Sequence, residues 1–151
     1  MEDWKCYIID ATPEDWIRWP AYQSMMEEML KDNRFIWVRK DLGIAEARNE
    51  AIEISNSPLV AFLDSDDEWM PDKLQSQIDY VAQNPQVPLV HGEEIWIRNG
   101  TRVNAMRKHK KFGGKIFEKC LPLCLISPSA SMIRRSVLAD MNGFDESFTV
   151  C

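Results

Sequence analysis

The stretch that most limits how this chain can fold is an apolar run closed by acids: Pro58-Leu59-Val60-Ala61-Phe62-Leu63, then Asp64-Ser65-Asp66-Asp67-Glu68. A short apolar run bounded by a proline and a polar cluster reads as a strand buried on both faces, as in a parallel sheet. Its end releases four carboxylates within five residues, Asp64, Asp66, Asp67 and Glu68. Like charges crowded beside an apolar strand repel unless something positive sits among them. A hard divalent cation held through oxygens is the simplest partner, which points to a metal–nucleotide site and so to an enzyme.

The flanking segments set the class. Residues 4–10 and 34–39 read as strands. Between them, Thr12 as N-cap, Pro13 at the first helical position and the acids Glu14-Asp15 open a helix. The next helix would place Trp16, Trp19, Met26, Met29 and Leu30 on one face, with Pro20 breaking or kinking it. Gly43 introduces a helix to about Ser55, and Pro71 starts another whose Leu74, Ile78 and Val81 face the core. Alternating strands and helices predict parallel α/β architecture. Further on, the pattern predicts a strand over 87–97, a turn at Asn99-Gly100-Thr101, a basic loop over 107–111 and an apolar helix over 116–125. A strand at 131–133 and a short helix over 136–141 complete it. Nothing reads as a linker, so one domain is expected.

Composition narrows the function. The 151 residues carry a net charge of −6, which argues against a general nucleic-acid partner. The apolar stretches fall far short of the roughly 20 residues that span a bilayer. Met1-Glu2-Asp3-Trp4-Lys5 lacks the basic start and apolar centre of a signal peptide, so a cytosolic location is the default. Cys6, Cys120, Cys124 and Cys151 show no metal spacing and read as buried, reduced thiols, with Cys120 and Cys124 on one helical face.

In a parallel α/β sheet, ligands bind beyond the carboxyl ends of the strands. Asp10 and Asp64 both fall there and could share one ligand, Asp10 meeting a base or ribose and the later cluster a diphosphate-bound metal. Asp10 alone reads equally as a turn-shaping residue. In Gly43-Ile44-Ala45-Glu46-Ala47-Arg48-Asn49, the glycine permits a tight turn, the alanines close packing, and the helix N-terminus favours an anion. Arg48 adds a planar donor suited to phosphate; taken alone, it reads first as a surface arginine paired with an acid, a reading the acidic loop weakens.

Gly43…Ala47-Arg48-Asn49-Glu50-Ala51, followed by Ala61-Phe62-Leu63-Asp64-Ser65-Asp66-Asp67-Glu68-Trp69-Met70-Pro71-Asp72-Lys73-Leu74, resembles the donor half of family 2 glycosyltransferases. Ile126-Ser127-Pro128-Ser129-Ala130-Ser131-Met132-Ile133-Arg134-Arg135-Ser136, with Gly143-Phe144-Asp145-Glu146, is similar to that family's later region. The resemblance covers nearly the whole chain. It implies an α/β fold of the GT-A type, a Rossmann-like sheet with helices on both faces. Residues 1–85 would form the nucleotide-sugar-binding part and 86–151 the start of the acceptor-side part. It implies Mn²⁺ or Mg²⁺ at a DXD-type motif, Asp64, Asp66 and Asp67, and a nucleoside-diphosphate sugar as donor. Asp10, Gly43, Arg48 and Asn49 would line the donor site with Asp64 and Asp66. The acceptor would be a saccharide or a lipid-linked sugar in polysaccharide or glycolipid assembly. The place would be the cytoplasm or the inner face of the membrane, with peripheral membrane association as an option.

The sequence departs from that pattern in three places. Asp10-Ala11 stands where the family usually carries two acids. The family's first strand–helix unit is missing before residue 4, and its catalytic Glu-Asp pair would lie beyond Cys151. The expectation is therefore a domain cut at both ends, leaving a gap in the sheet or pairing the Asp10 and Asp64 strands directly. The rival readings are an inactive nucleotide-binding or scaffold domain and a sugar nucleotidyltransferase, though no Gly-rich phosphate loop supports the latter. Glu93 and Glu94 are conceivable bases but read as ordinary solvated acids. The run Arg107-Lys108-His109-Lys110-Lys111 reads as a solvated loop rather than a surface for anionic lipid, and Asp145-Glu146 as a turn. His91 and His109 support neither a triad nor a metal site, and Trp69 reads as an anchor of the acidic loop.

Overall fold

A computed structural model describes residues 3–104 and 106–148. They form two compact units: residues 3–58 with 135–148, and Leu59–Arg134. The class is mixed α/β, as the alternating pattern predicts.

In the first unit, β1 (Cys6–Asp10) and β2 (Phe35–Arg39) pair in parallel, with Cys6 opposite Phe35 and Asp10 opposite Arg39. Their aromatic and β-branched residues suit a half-buried pleated surface. Arg34 leads into β2 with its guanidinium 3.9 Å over the Trp4 ring, and Trp4 meets Phe35 edge-on. Pro20 breaks the helical segment as expected, separating α1 (Glu14–Ile17) from α2 (Pro20–Met29) and taking the first position of α2, where no N–H is needed. The break removes the predicted common face. Trp16 and Trp19 stack on each other at 5.1 Å and stay exposed, as does Leu30; of the five residues only Met26 is buried. Pro13, not Thr12, precedes α1 as its cap. α3 (Ile44–Ile54) packs on β1, ending against Ser55. α6 (Arg135–Asp140) follows in space because the Arg135 guanidinium donates to Ile52 O and Ser55 Oγ, meeting the carbonyl end of α3.

In the second unit the strands are not all parallel. β3 (Leu59–Ala61) and β4 (Leu89–His91) lie on either side of β7 (Ser131–Arg134), each antiparallel to it. β3 is thus an edge strand, three residues long and half-buried rather than buried on both faces; only Phe62 beyond it is buried, and Leu63 is exposed. α4 (Lys73–Gln83) packs on β4 and begins after Asp72 rather than at Pro71, burying Gln77 and Val81. The expected 87–97 strand splits into β4 and β5 (Trp96–Arg98). β5 joins β6 (Thr101–Val103) through Asn99 and Gly100, whose φ of 50° and 72° are those of a type I′ hairpin turn. The apolar segment over 116–125 forms only the single turn α5 (Phe117–Cys120), because Pro122 has no N–H to continue a helix. Cys124 therefore shares no helical face with Cys120, and it is exposed, whereas Cys6 and Cys120 are half-buried free thiols. Cys151 lies outside the described residues.

Arg134 performs at α4 what Arg135 performs at α3. Its Nη2 donates to Val81 O at 3.2 Å, at the end of α4, and its Nε to Val87 O at 2.8 Å, in the loop that follows. Arg134→Met keeps the stem but strands those carbonyls, and is expected to cost about 2 kcal/mol, a melting point lower by about 6 °C in a thermal scan. No helix among the described residues is long and apolar enough to cross a membrane.

Candidate functional site

The acidic segment leaves β3 as a tight turn: the Asp67 N–H bonds Asp64 O at 3.1 Å, so Ser65 and Asp66 sit at its tip. Asp66, Asp67 and Glu68 are exposed and Asp64 is half-buried. The turn is tied down at both ends. The Asp64 N–H donates to Ser129 Oγ at 3.0 Å, and the Trp69 indole Nε1–H donates to Ser129 O at 2.8 Å. The Trp69 ring in turn lies 4.0 Å beneath the Lys73 ammonium, which donates to Ser131 O at 3.2 Å. Burial pushes the Lys73 pKa down to about 8. Gln77 Nε2 donates to Ala130 O at 2.8 Å, so three successive carbonyls, 129 to 131, receive side chains from the acidic turn and α4.

Among the described residues, no three His, Cys, Asp or Glu side chains converge as a ready-made metal cage. The donor set is nonetheless suited to a hard cation. Exposed carboxylate oxygens on one turn are what a Mg²⁺-like ion uses when phosphate oxygens and water fill the rest of its shell.

Asp10 stands at the end of β1 as predicted, but it is buried and its oxygens face inward. Oδ1 accepts the Thr12 N–H at 2.8 Å; Oδ2 accepts the Tyr22 hydroxyl and the Trp37 indole N–H, the latter at 2.9 Å. Burial pushes its pKa up, but the bonds from Thr12, Tyr22 and Trp37 outweigh it and hold the carboxyl below its ordinary value. A carboxyl with a depressed folded pKa stabilises the fold above the unfolded value, about pH 4, and loses that contribution as pH falls through the folded value. Asp10→Asn is expected to flatten this part of the acid-unfolding curve and to lower the melting point at pH 7. Tryptophan fluorescence across pH 2 to 7 reads both.

The other predicted residues of this unit are also engaged. The Gly43 N–H donates to Glu46 Oε2 at 2.8 Å, so the α3 N-terminus already meets the carboxylate of its own first turn. Arg48 is buried, with its guanidinium 5.5 Å from the Phe144 ring centre. The Asn49 amide faces residues 144–146: Oδ1 accepts the Phe144 N–H at 2.8 Å, while Nδ2 donates to Phe144 O at 2.9 Å and Glu146 Oε1 at 2.8 Å. Asp145 takes the N–H and hydroxyl of Ser147 in the expected turn.

Glu94 is paired with Lys111, whose ammonium also donates to Leu125 O at 2.7 Å, and it accepts the Trp96 indole N–H. Lys111 thus leaves the solvated basic run, and His109 packs against Trp96 at 4.8 Å. Trp69 anchors the acidic loop as expected. Its partner Ser129 and the Asp10 partners Tyr22 and Trp37 were not singled out from sequence. The one available signal for Ser129 was the small polar triplet spacing of Ser127-Pro128-Ser129-Ala130-Ser131 within an otherwise apolar region.

The sequence profile described as Glycosyl transferase family 2 matches residues 2–141. The chain is 30% identical over 100 residues to the putative teichuronic acid biosynthesis glycosyltransferase TuaG of Bacillus subtilis, covering 65% of this chain and 38% of that protein. It is 26% identical over 128 residues to an uncharacterised glycosyltransferase of Methanocaldococcus jannaschii, covering 83% of this chain and 44% of that one. With the Escherichia coli UDP-Glc:alpha-D-GlcNAc-diphosphoundecaprenol beta-1,3-glucosyltransferase WfgD it shares 31% identity over 96 residues, 64% of this chain and 36% of that protein. The chain therefore spans about two fifths of the length of these curated relatives.

Proposed function

Because the chain belongs to glycosyl transferase family 2, we propose that it binds a nucleoside-diphosphate sugar through a divalent cation on the Asp64–Asp67 turn and serves sugar transfer to an acceptor. The mixed α/β architecture is consistent with a GT-A-like domain. The observation that carries the reading is the turn itself: three aspartates presented at the end of β3 on a backbone fixed at both ends to Ser129. Asp64, Asp66 and Asp67 would share Mn²⁺ or Mg²⁺ with the diphosphate, Asp66 at the tip making the most accessible contact. When bound, such a cation neutralises the charge that develops on the departing diphosphate.

Asp10 joins β1 to α2 and β2, Asn49 ties α3 to the 143–146 turn, and Arg48 lies against the Phe144 ring, so these residues would serve a donor by shaping the first unit. Gly43 begins α3 with its N–H on Glu46. Relatives carry names in teichuronic acid biosynthesis and in glucosyl transfer to a diphosphoundecaprenol-linked sugar. We assign this chain to polysaccharide or glycolipid assembly on that basis, with a saccharide or lipid-linked acceptor, at the cytoplasmic face of a membrane.

Titration calorimetry with UDP, GDP and dTDP, each with and without Mn²⁺, tests the proposal. One nucleotide is expected to bind with Mn²⁺ and far more weakly without it. Equal binding in both conditions, or none in either, overturns the metal-assisted donor reading.

A further inference from the structure

Both ends of the acidic turn rest on one residue. Ser129 is buried, with 7% of its surface exposed. Its hydroxyl oxygen holds the entry to the turn at the Asp64 N–H, and its carbonyl oxygen holds the exit at the Trp69 indole. Ser129 is itself fixed in a single 3-10 turn, Pro128–Ala130. The Ala130 N–H bonds Ser127 O, and the Ser131 hydroxyl bonds Pro128 O at 2.9 Å. On the far side, Ala130 O receives both the Gly92 N–H and the Gln77 amide. Lys73 presses on the Trp69 ring and reaches Ser131 O, holding the indole where its N–H meets Ser129.

A turn bearing four like charges tends to spread when no ligand is present. Fixing both ends to a rigid point limits that spread before a ligand arrives, so less ordering remains to be done on binding. We infer that Ser129 is a positioning residue for the metal–diphosphate contact, acting as a clasp that presets the Asp64–Asp67 carboxylates, with Trp69 and Lys73 completing the clasp. The inference rests on the donor reading given above.

Ser129→Ala removes the acceptor of the Asp64 amide and leaves the carbonyl. Trp69→Phe removes the indole donor but keeps a ring beneath Lys73. Three quantities decide the matter in the unsubstituted protein and in both variants. They are Mn²⁺-dependent affinity for the tightest of UDP, GDP and dTDP, the thermal midpoint, and the hydrogen-exchange rate of the Asp64 amide. The expected result is an affinity about tenfold weaker in each variant with the folded fraction unchanged, and faster Asp64 exchange in Ser129→Ala. Should Ser129→Ala not fold, Trp69→Phe carries the decision. Variants that bind as tightly as the unsubstituted protein overturn the clasp alone. An affinity loss that only mirrors lost folded protein overturns it too. Absence of Mn²⁺-dependent binding in the unsubstituted protein overturns the donor reading and the clasp with it.

Discussion

Asp66→Asn is expected to weaken Mn²⁺-assisted nucleotide binding by at least about a hundredfold while leaving the melting point of the metal-free protein within about 2 °C. The two halves of this result have different causes. Asp66 lies at the exposed tip of the turn, its neighbours Asp67 and Glu68 exposed beside it. Its side chain is exposed, and surface substitutions of this kind change stability by about 0.5 kcal/mol or less. Removing one of four neighbouring negative charges relieves repulsion, so any small change should favour the fold. The amide that replaces it is a weaker cation ligand and carries no charge to balance a divalent ion. Asp67→Asn makes the natural comparison, since Asp67 has its N–H committed to Asp64 O and so is less free at the tip. Calorimetry and a thermal scan on the same samples check the pair of outcomes. Loss of binding accompanied by a large drop in melting point would mean that Asp66 is structural.

The second large effect concerns stability alone. Gly143→Ala is expected to lower the melting point by about 9 °C, corresponding to about 3 kcal/mol. Gly143 has φ +76°, in the left-handed region where a side chain costs about 1–2 kcal/mol. It follows α6, and its N–H reaches back to Leu138 O at 2.8 Å, closing the helix end. A Cβ placed there would stand 2.4 Å from Asn49 Oδ1. Asn49 would have to swing away, giving up its paired bonds to the Phe144 backbone. Those bonds supply the remainder of the loss, at about 1 kcal/mol for each interaction left unmade. Asn49→Ala gives up the same bonds without the strain, so its expected loss is smaller. In the double substitution the clash disappears, and the combined loss falls short of the sum. A Gly143→Ala protein melting within 2 °C of the original would contradict this account of the 143–146 turn.

Much of the local structure was legible in the sequence for local reasons. Gly43 and Ser55 bracket α3 to within a residue because the start and stop signals sit next to the helix they bound. Asn99-Gly100 announces a turn because both positions require positive φ. Pro20 marks the break locally, but the consequence of that break is not local. Once α1 and α2 separate, Trp16 and Trp19 no longer continue the face that buries Met26. In the 116–125 run the apolar content suggests a longer helix than Pro122 permits.

The parts that failed are long-range. β7 inserts between β3 and β4 from about 70 and 40 residues away respectively, and no periodicity in β3 reveals which strand will pair with it. The candidate site divides the same way. The acidic turn was legible because its carboxylates are adjacent in sequence. The partners of Asp10 lie up to 27 residues away, those of Asn49 about 95, and Ser129 sits 65 residues beyond Asp64. Residue type alone marked Asp10 and Asn49 as polar groups at strand and helix ends. Which oxygens would already be occupied is a property of the folded chain.

The central claim is that metal and diphosphate meet on the Asp64–Asp67 turn. It is tested most directly by paramagnetic broadening in amide spectra of the nucleotide-saturated protein as Mn²⁺ is added in trace amounts. Broadening falls off steeply with distance, so the signals lost first mark the metal. The account predicts that the amides of Ser65, Asp66 and Asp67 and the Trp69 indole disappear first, and that Asp66→Asn abolishes the effect. First losses elsewhere in the chain, or an unchanged pattern in Asp66→Asn, would contradict it.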